Sequence, residues 1–337
     1  MVVRDGARYV STRPEPLFSF VGQTAEFDSL LLVCCQTGAE PSLVSLAGPL
    51  MYAKDSALSV PFALAMVLPG GRLTSSSADS LVLLEGGTYS LGAAVGIFDL
   101  RGERTAVDAA TGLTLGTDRP LEHRGALLES RGAAIATQTA VRVDTALLEA
   151  SAPLLTLMAG SSLTSSSSLV QLDRRAGVAA AVPSDALVKL DASTLTVRDG
   201  SLFNVARGSS LSVTGTLLSL TNGSTLSVLN GSLVNVSSGS IFSLAGGSLA
   251  AFGAGANALN LMSSASLCAG CSVTTGIANF GGYPVLLRNG ATASNVSVAP
   301  GFTPFGGLSA TNTVKVSGAS GAVLTVDGAT SKVVLGK

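Results

Sequence analysis

The stretch GSTLSVLNGSLVNVSSGSIFSLAGGSL, Gly223 to Leu249, speaks one short phrase four times, with different apolar residues each time. Aligned on those residues, the phrase extends upstream as Val188/Leu190, Leu195/Val197, Phe203/Val205, Leu211/Val213, Leu218/Leu220, Leu226/Val228, Val234/Val236 and Phe242/Leu244, at a step of seven or eight. A polar residue separates the members of each pair: Lys189, Thr196, Asn204, Ser212, Ser219, Ser227, Asn235 and Ser243. Successive side chains on a strand point to opposite faces, so the pattern predicts short strands buried on one side. Between the strands come RDG, ARG, TNG, LNG, SSG and AGG, where Gly or Asn supplies the positive φ of a corner.

Self-similarity at a short fixed period is the mark of a solenoid, whose single unit cannot bury its apolar face until neighbours stack on it. A barrel or sandwich also has regular short strands, but it has no need to keep the same residue type in the same slot. The expected fold is therefore all-β, a parallel β-solenoid of the right-handed β-helix kind. Three units give a three-faced coil of about 22–24 residues; two give a flatter coil of about 15–16. The flatter coil has support in an extra leucine before alternate pairs (Leu187, Leu202, Leu217, Leu233), where the others carry Thr194, Ser210 and Thr225. Three faces are favoured because two sheets about 10 Å apart leave little room for Phe203 and Phe242. Looser versions of the phrase run through the rest of the chain, so residues 1–337 read as one continuous solenoid. Residues 99–149 form a more charged, less regular interval, 186–252 hold the most regular repeats, and 253–337 are less regular C-terminal coils. Coiled throughout, the chain would make roughly 14 turns and a rod near ~70 Å.

Hydrophobic residues make up 47% of the chain, charged residues 12% and aromatics 4%, with 39 glycines and no tryptophan, so the core must be built from small and aliphatic side chains. A disordered chain would be charged and poor in Val, Leu and Ile. The formal net charge of -1 gives no broad electrostatic attraction to nucleic acid or an anionic membrane. Mean hydropathy is +0.51, yet Ser, Gly and Asn interrupt every apolar run well short of the ~20 residues of a spanning helix, which argues against membrane insertion. The N-terminal MVVRDGARYVSTRPEPLFSF lacks the basic and apolar regions of a secretory signal.

The phrases from Ala186 to Phe252 resemble the repeat regions of bacterial surface exoproteins of the filamentous-haemagglutinin type, including autotransporter passengers. The resemblance is one of architecture and composition. It implies a non-catalytic structural or adhesive rod, extracellular or at the cell surface, and a piece of a longer exported protein. Its partners would be a host or matrix glycan or protein; separately, the apolar SKVVLGK makes a poor cap for a coil, so end-to-end self-association is a further expectation.

Two rival readings have their own residues. A β-helical polysaccharide-degrading enzyme needs carboxylates converging on one outer face. The interval Asp99 to Glu149, with Asp118, Glu122, Glu129 and the single histidine, His123, is where they could lie. Its alternative is a set of surface ion pairs. An ice- or glycan-binding solenoid needs aligned hydroxyls, for which Thr194 and Thr196, Ser210 and Ser212, and Thr225 and Ser227 would form ranks on one flank. No G-x-S-x-G elbow, phosphate loop or calcium-binding nonapeptide occurs, and no catalytic residue, cofactor or metal site is expected. Cys268 and Cys271, in CAGC, have the C-x-x-C spacing; without a second ligand pair a local disulfide is the expectation.

Overall fold

The structure, a computed structural model, describes residues 1–262 except 36–39, 104, 108–113, 238 and 246. Beyond them it describes only the strand segments 268–269, 292–293, 305–306, 313–316 and 332–335. The described residues contain strands and no helix, and the strands stack in parallel as a solenoid of about 8 turns.

The opening stretch, with the few residues after it, is one coil. Its strands Thr225–Asn230, Val234–Val236, Ile241–Ala245 and Ala250–Phe252 follow one another around the core, each beside its counterpart in the preceding coil. They belong to sheets that we call I, II, III and IV in that order. Strands Thr194–Asp199 and Phe203–Val205 lie in I and II, and the long strand Ser210–Thr221 supplies first III and then IV.

The coil is larger than the expected 22–24 residues. Asn204 and Asn235, neighbours in sheet II, are 31 residues apart, and Gln171 and Asn204 are 33 apart. Each coil thus contains a fourth unit of the expected seven or eight residues. The wider interior takes Phe98, Phe203 and Phe242 with no exposure, together with the apolar pairs of the repeat. The alternation that suggested 15–16 residues is half a coil. Leu187, Leu202, Leu217 and Leu233 all enter the core in sheets IV and II, whereas the Thr and Ser of that slot belong to I and III. Eight turns instead of fourteen, at ~4.8 Å each, give a rod of roughly 40 Å.

Glycine serves the corners in two ways. Gly223 and Gly239 have φ of +81° and +72°, a conformation that a side chain strains. At the corners between, a Cβ on Gly231 would lie 2.0 Å from the Gly200 carbonyl oxygen, and one on Gly247 2.1 Å from that of Gly215. There the need is close approach of two coils. The serine after each glycine turns inward: Ser224, Ser232, Ser240 and Ser248 are all buried. Buried hydroxyls need partners, and at three corners a buried serine hydroxyl accepts a main-chain N–H of the adjacent coil. Ser193 N donates to Ser224 Oγ (3.2 Å), Ser232 N to Ser201 Oγ (3.1 Å) and Ser209 N to Ser240 Oγ (3.1 Å). Outside, Asn235 Nδ2 donates to Asn204 Oδ1 (2.7 Å) and Asn204 Nδ2 to Gln171 Oε1 (2.9 Å), an amide ladder along sheet II.

The charged interval contains an insertion. After Phe98–Arg101 in sheet II the chain leaves the coil, forms the antiparallel hairpin Thr105–Val107/Thr114–Gly116, and returns in sheet III at Leu121–His123. Sheets I, II and IV pass this coil with their ladders intact, as Thr88↔Ala134, Phe98↔Val141 and Val82↔Leu128. Sheet III does not: Leu121–His123 pairs with Gly71–Ser75 on one side, and the next strand, Leu147–Ala150, pairs only with Gly177–Asp191.

The two glycine roles make a direct test. Gly223→Ala, with nothing within 4 Å of the added methyl, should lose about 1 kcal/mol through backbone strain. Gly231→Ala should lose roughly 3 kcal/mol, because two coils must part. Urea unfolding midpoints measure both; equal losses would show that the corners are alike.

Candidate functional site

An acid and base pair requires carboxylates that share a face and are free to exchange protons. Apart from the exposed Glu103, the described carboxylates of the charged interval are engaged, spread over three sheets and the segment that holds Asp118. In sheet II, Asp99 has no exposure and meets Arg101 at 2.7 Å, while Asp144, also buried, accepts from Arg174 Nε at 2.8 Å. In sheet IV, Glu129 accepts from Arg131 Nε at 2.7 Å. There Glu85 accepts from the Tyr52 hydroxyl at 2.8 Å, which raises the Tyr52 pKa, and from Arg131 at 3.2 Å. In sheet III, Glu122 pairs with Arg72, and Glu149 with Arg119 at 2.8 Å. Asp118 accepts the main-chain N–H of Glu103 at 2.9 Å. Wherever the partners differ clearly in exposure, the carboxylate lies beneath and the guanidinium outside, as in Asp144 (2%) under Arg174 (55%).

The interruption of sheet III coincides with a groove of about 770 Å³ on its outer face. Thr74, Glu122, Glu149, Ala179 and Ser212, from successive coils, line it, and His123 lies at one end of the strand beside the gap. A single described backbone bond, from Leu147 N to Asp118 O (2.8 Å), spans the start of the gap. His123 stacks on Ser75 at the corner that leads into sheet IV. Both ring nitrogens are enclosed and neither makes a well-aligned hydrogen bond. Burial pushes the imidazole pKa below its ordinary value, partly offset by main-chain groups of Asp79, Ser75 and Ala126 and by the Asp79 carboxylate.

The hydroxyl ranks fall otherwise than the sequence suggested. Thr194 faces Thr225 across sheet I, and Thr196 faces Ser227. Ser210 and Ser212 are in sheet III, Ser210 buried and Ser212 in the groove. The cause is the four-unit coil, which carries residues half a coil apart to different faces. The ranks instead continue through residues that were not singled out: Ser162 and Thr164, Ala134 and Ala136, Thr88 and Ser90, Ala57 and Ser59. From Ala57 and Ser59 to Ala258 and Asn260 these two ranks carry no charge. A readable signal existed: STLTVRDGSLFNV, residues 193–205, returns one coil later as STLSVLNGSLVNV, residues 224–236.

Cys34 and Cys35 are joined to each other in a disulfide at the corner after sheet II, so neither offers a thiolate. Cys271 and the side chain of Cys268 lie outside the described residues. Among the described residues no group of His, Cys, Asp and Glu is arranged to hold a metal ion. No family model, curated protein or solved structure matches the chain. The protein is, by the class of its fold, a parallel β-solenoid.

His123 has a measurable consequence. Above pH ~6.5 the imidazole is neutral folded and unfolded. Below that value the unfolded chain takes up a proton before the folded one does, so stability falls as the pH falls toward the depressed folded pKa. The urea midpoint should drop between pH 7.5 and 5, a range in which exposed carboxylates stay ionised. His123→Gln should flatten the dependence; an unchanged slope in that variant would refute the assignment.

Proposed function

We propose that the chain is a non-catalytic rod segment of an exported bacterial surface protein, structural or adhesive, related in kind to the filamentous-haemagglutinin repeats. Its work is geometric: a stiff, sparsely charged body holds its faces away from the cell and presents them to a host or matrix glycan or protein. The observation that carries the reading is the disposal of charge. Apart from the exposed Glu103, the described carboxylates of the charged interval are held by arginines or by the main chain, and Glu122 and Glu149, which share the groove of sheet III, are each paired with an arginine; this speaks against the polysaccharide-degrading alternative.

End-to-end self-association is part of this proposal. The first strands of the four sheets, Val2–Val3, Arg8–Ser11, Phe18–Val21 and Thr24–Glu26, are each paired on one side only. Val2, Val10 and Val21 are exposed there at 60%, 58% and 56%. An apolar strand edge is a template for further pairing, by another copy of this segment or by coils that precede it in a longer chain. Sedimentation velocity over a concentration series should show growing species, and Val10→Lys with Val21→Lys should return a monomer. A wild-type chain that stays monomeric at high concentration would dispose of the assembly.

The register of sheet I favours a second reading, a face that binds ice or a glycan through its uncharged Ser and Thr ranks. Both ranks repeat at the strand spacing of ~4.8 Å. Thr164→Tyr with Thr196→Tyr, at outward positions, should leave the melting temperature within a few degrees. The same variant should abolish inhibition of ice recrystallisation or retention on a glycan array. Absence of both activities in the wild type would remove this reading.

A further inference from the structure

The corner between sheets II and III carries residues that its backbone disfavours. Arg174, Arg175 and Arg207 stand there with φ of +50°, +68° and +54°, in the left-handed region. At the same corner of other coils the positive φ is taken by Gly70 and Gly239, at +76° and +72°, and also by Asp5, Cys35 and Thr145, at +59°, +61° and +53°. A side chain in this conformation is less stable than glycine, and what sets these three positions apart from the other strained corners is that each carries an exposed cation. Arg174 and Arg175 belong to one coil and Arg207 to the next: Arg175 N donates to Arg207 O at 3.0 Å, and the Arg175 stem passes over Gly208.

The charge at this corner is layered. Arg174 and Arg207 are 55% and 67% exposed, above Asp144 and Asp173 at 2% and 16%. Arg142, 30% exposed, lies near Asp144 at 3.9 Å. Arg175 is exposed and makes no ion pair among the described residues. Arg174 uses two guanidinium nitrogens on Asp144, and Arg207 reaches Asp173 with one at 3.4 Å, so donors remain for an outside ligand. Asp118 is engaged with Glu103 N, although it lies close to Gly102 and Thr145 one coil away. A molecule of net charge -1 therefore shows solvent a file of guanidinium groups along one edge.

We propose that this edge is a docking strip for a linear acidic polysaccharide, one whose successive sugars carry sulfate or carboxylate. Guanidinium groups stepping by about one coil, ~4.8 Å, match a chain with anions at short regular intervals, and Arg pairs with planar or tetrahedral oxyanions through two donors. The strip is a narrow corner, while duplex DNA draws affinity from many phosphate contacts at once. The proposal rests on the adhesive reading above and names its ligand class.

The test uses the full purified chain and heparin as the probe, with neutral dextran, duplex DNA and phosphatidylserine vesicles in parallel. Wild type should bind heparin in a salt-sensitive manner and ignore dextran. Arg175→Gly with Arg207→Gly should bind roughly tenfold more weakly, as loss of two charge-assisted contacts implies, while its melting temperature holds or rises because glycine relieves the corner. Arg175→Lys with Arg207→Lys should keep most of the binding. Wild-type affinity in the glycine variant, or no heparin binding by wild type at low salt, overturns the strip. Equal binding to DNA or vesicles overturns the choice of polysaccharide. Absence of the protein from the cell surface would instead overturn the adhesive role and leave the binding result standing.

Discussion

The parallel ladder between one coil and the next is the constraint on which the rest depends. Each unit must land beside its counterpart in four sheets at once, so like residues stack on like, and a slip of one residue would turn an apolar pair outward. The chain meets this demand by keeping the pairs rigidly spaced and placing its variation at corners. The long insertion after Arg101 obeys the same rule: it leaves between two sheets, and the ladders of sheets I, II and IV continue past it. Its effect is confined to sheet III, where the ladder breaks and the groove opens beside His123.

Polar groups follow from that geometry. A coil that turns four times in about 31 residues must bring main-chain groups into its corners, where water cannot reach all of them. Inward serines receive N–H groups of the adjacent coil, each bond contributing about 1 kcal/mol net. On the outside, the same stacking lines up Gln171, Asn204 and Asn235 into an amide ladder, and sets carboxylates under arginines. One stacking rule thus makes sheet I nearly uncharged along its ranks and the corner between II and III basic, although the net charge of the whole is close to zero.

Much of the fold was legible because a strand has a period of two and the apolar pairs never leave it. The inward residues, from Val188 and Leu190 to Phe242 and Leu244, were all identified, and each is buried. The number of units per coil was not, because the alternation of Leu and Ser or Thr has a period of half a coil and looks complete by itself. The return of STLTVRDGSLFNV as STLSVLNGSLVNV carries the true period. Site residues were less readable. Thr194, Thr196, Thr225 and Ser227 share a sheet, but Ser210 and Ser212 were assigned to their flank by the same half-coil ambiguity. The engagement of Asp99, Glu129 and Glu149 by arginines depends on neighbours in space, and charge density in the sequence does not distinguish an ion pair from a free carboxylate.

By itself the sequence determined the strands, their inward residues and their corners, because alternation and glycine placement act over a few residues. Tertiary structure decided how many units close a coil, and with it which side chains become neighbours across coils. That choice depends on the volume the ring must enclose, here enough for Phe98, Phe203 and Phe242 with the leucines of two sheets. Interior volume is a property of stacked coils, and no single phrase of the chain contains it.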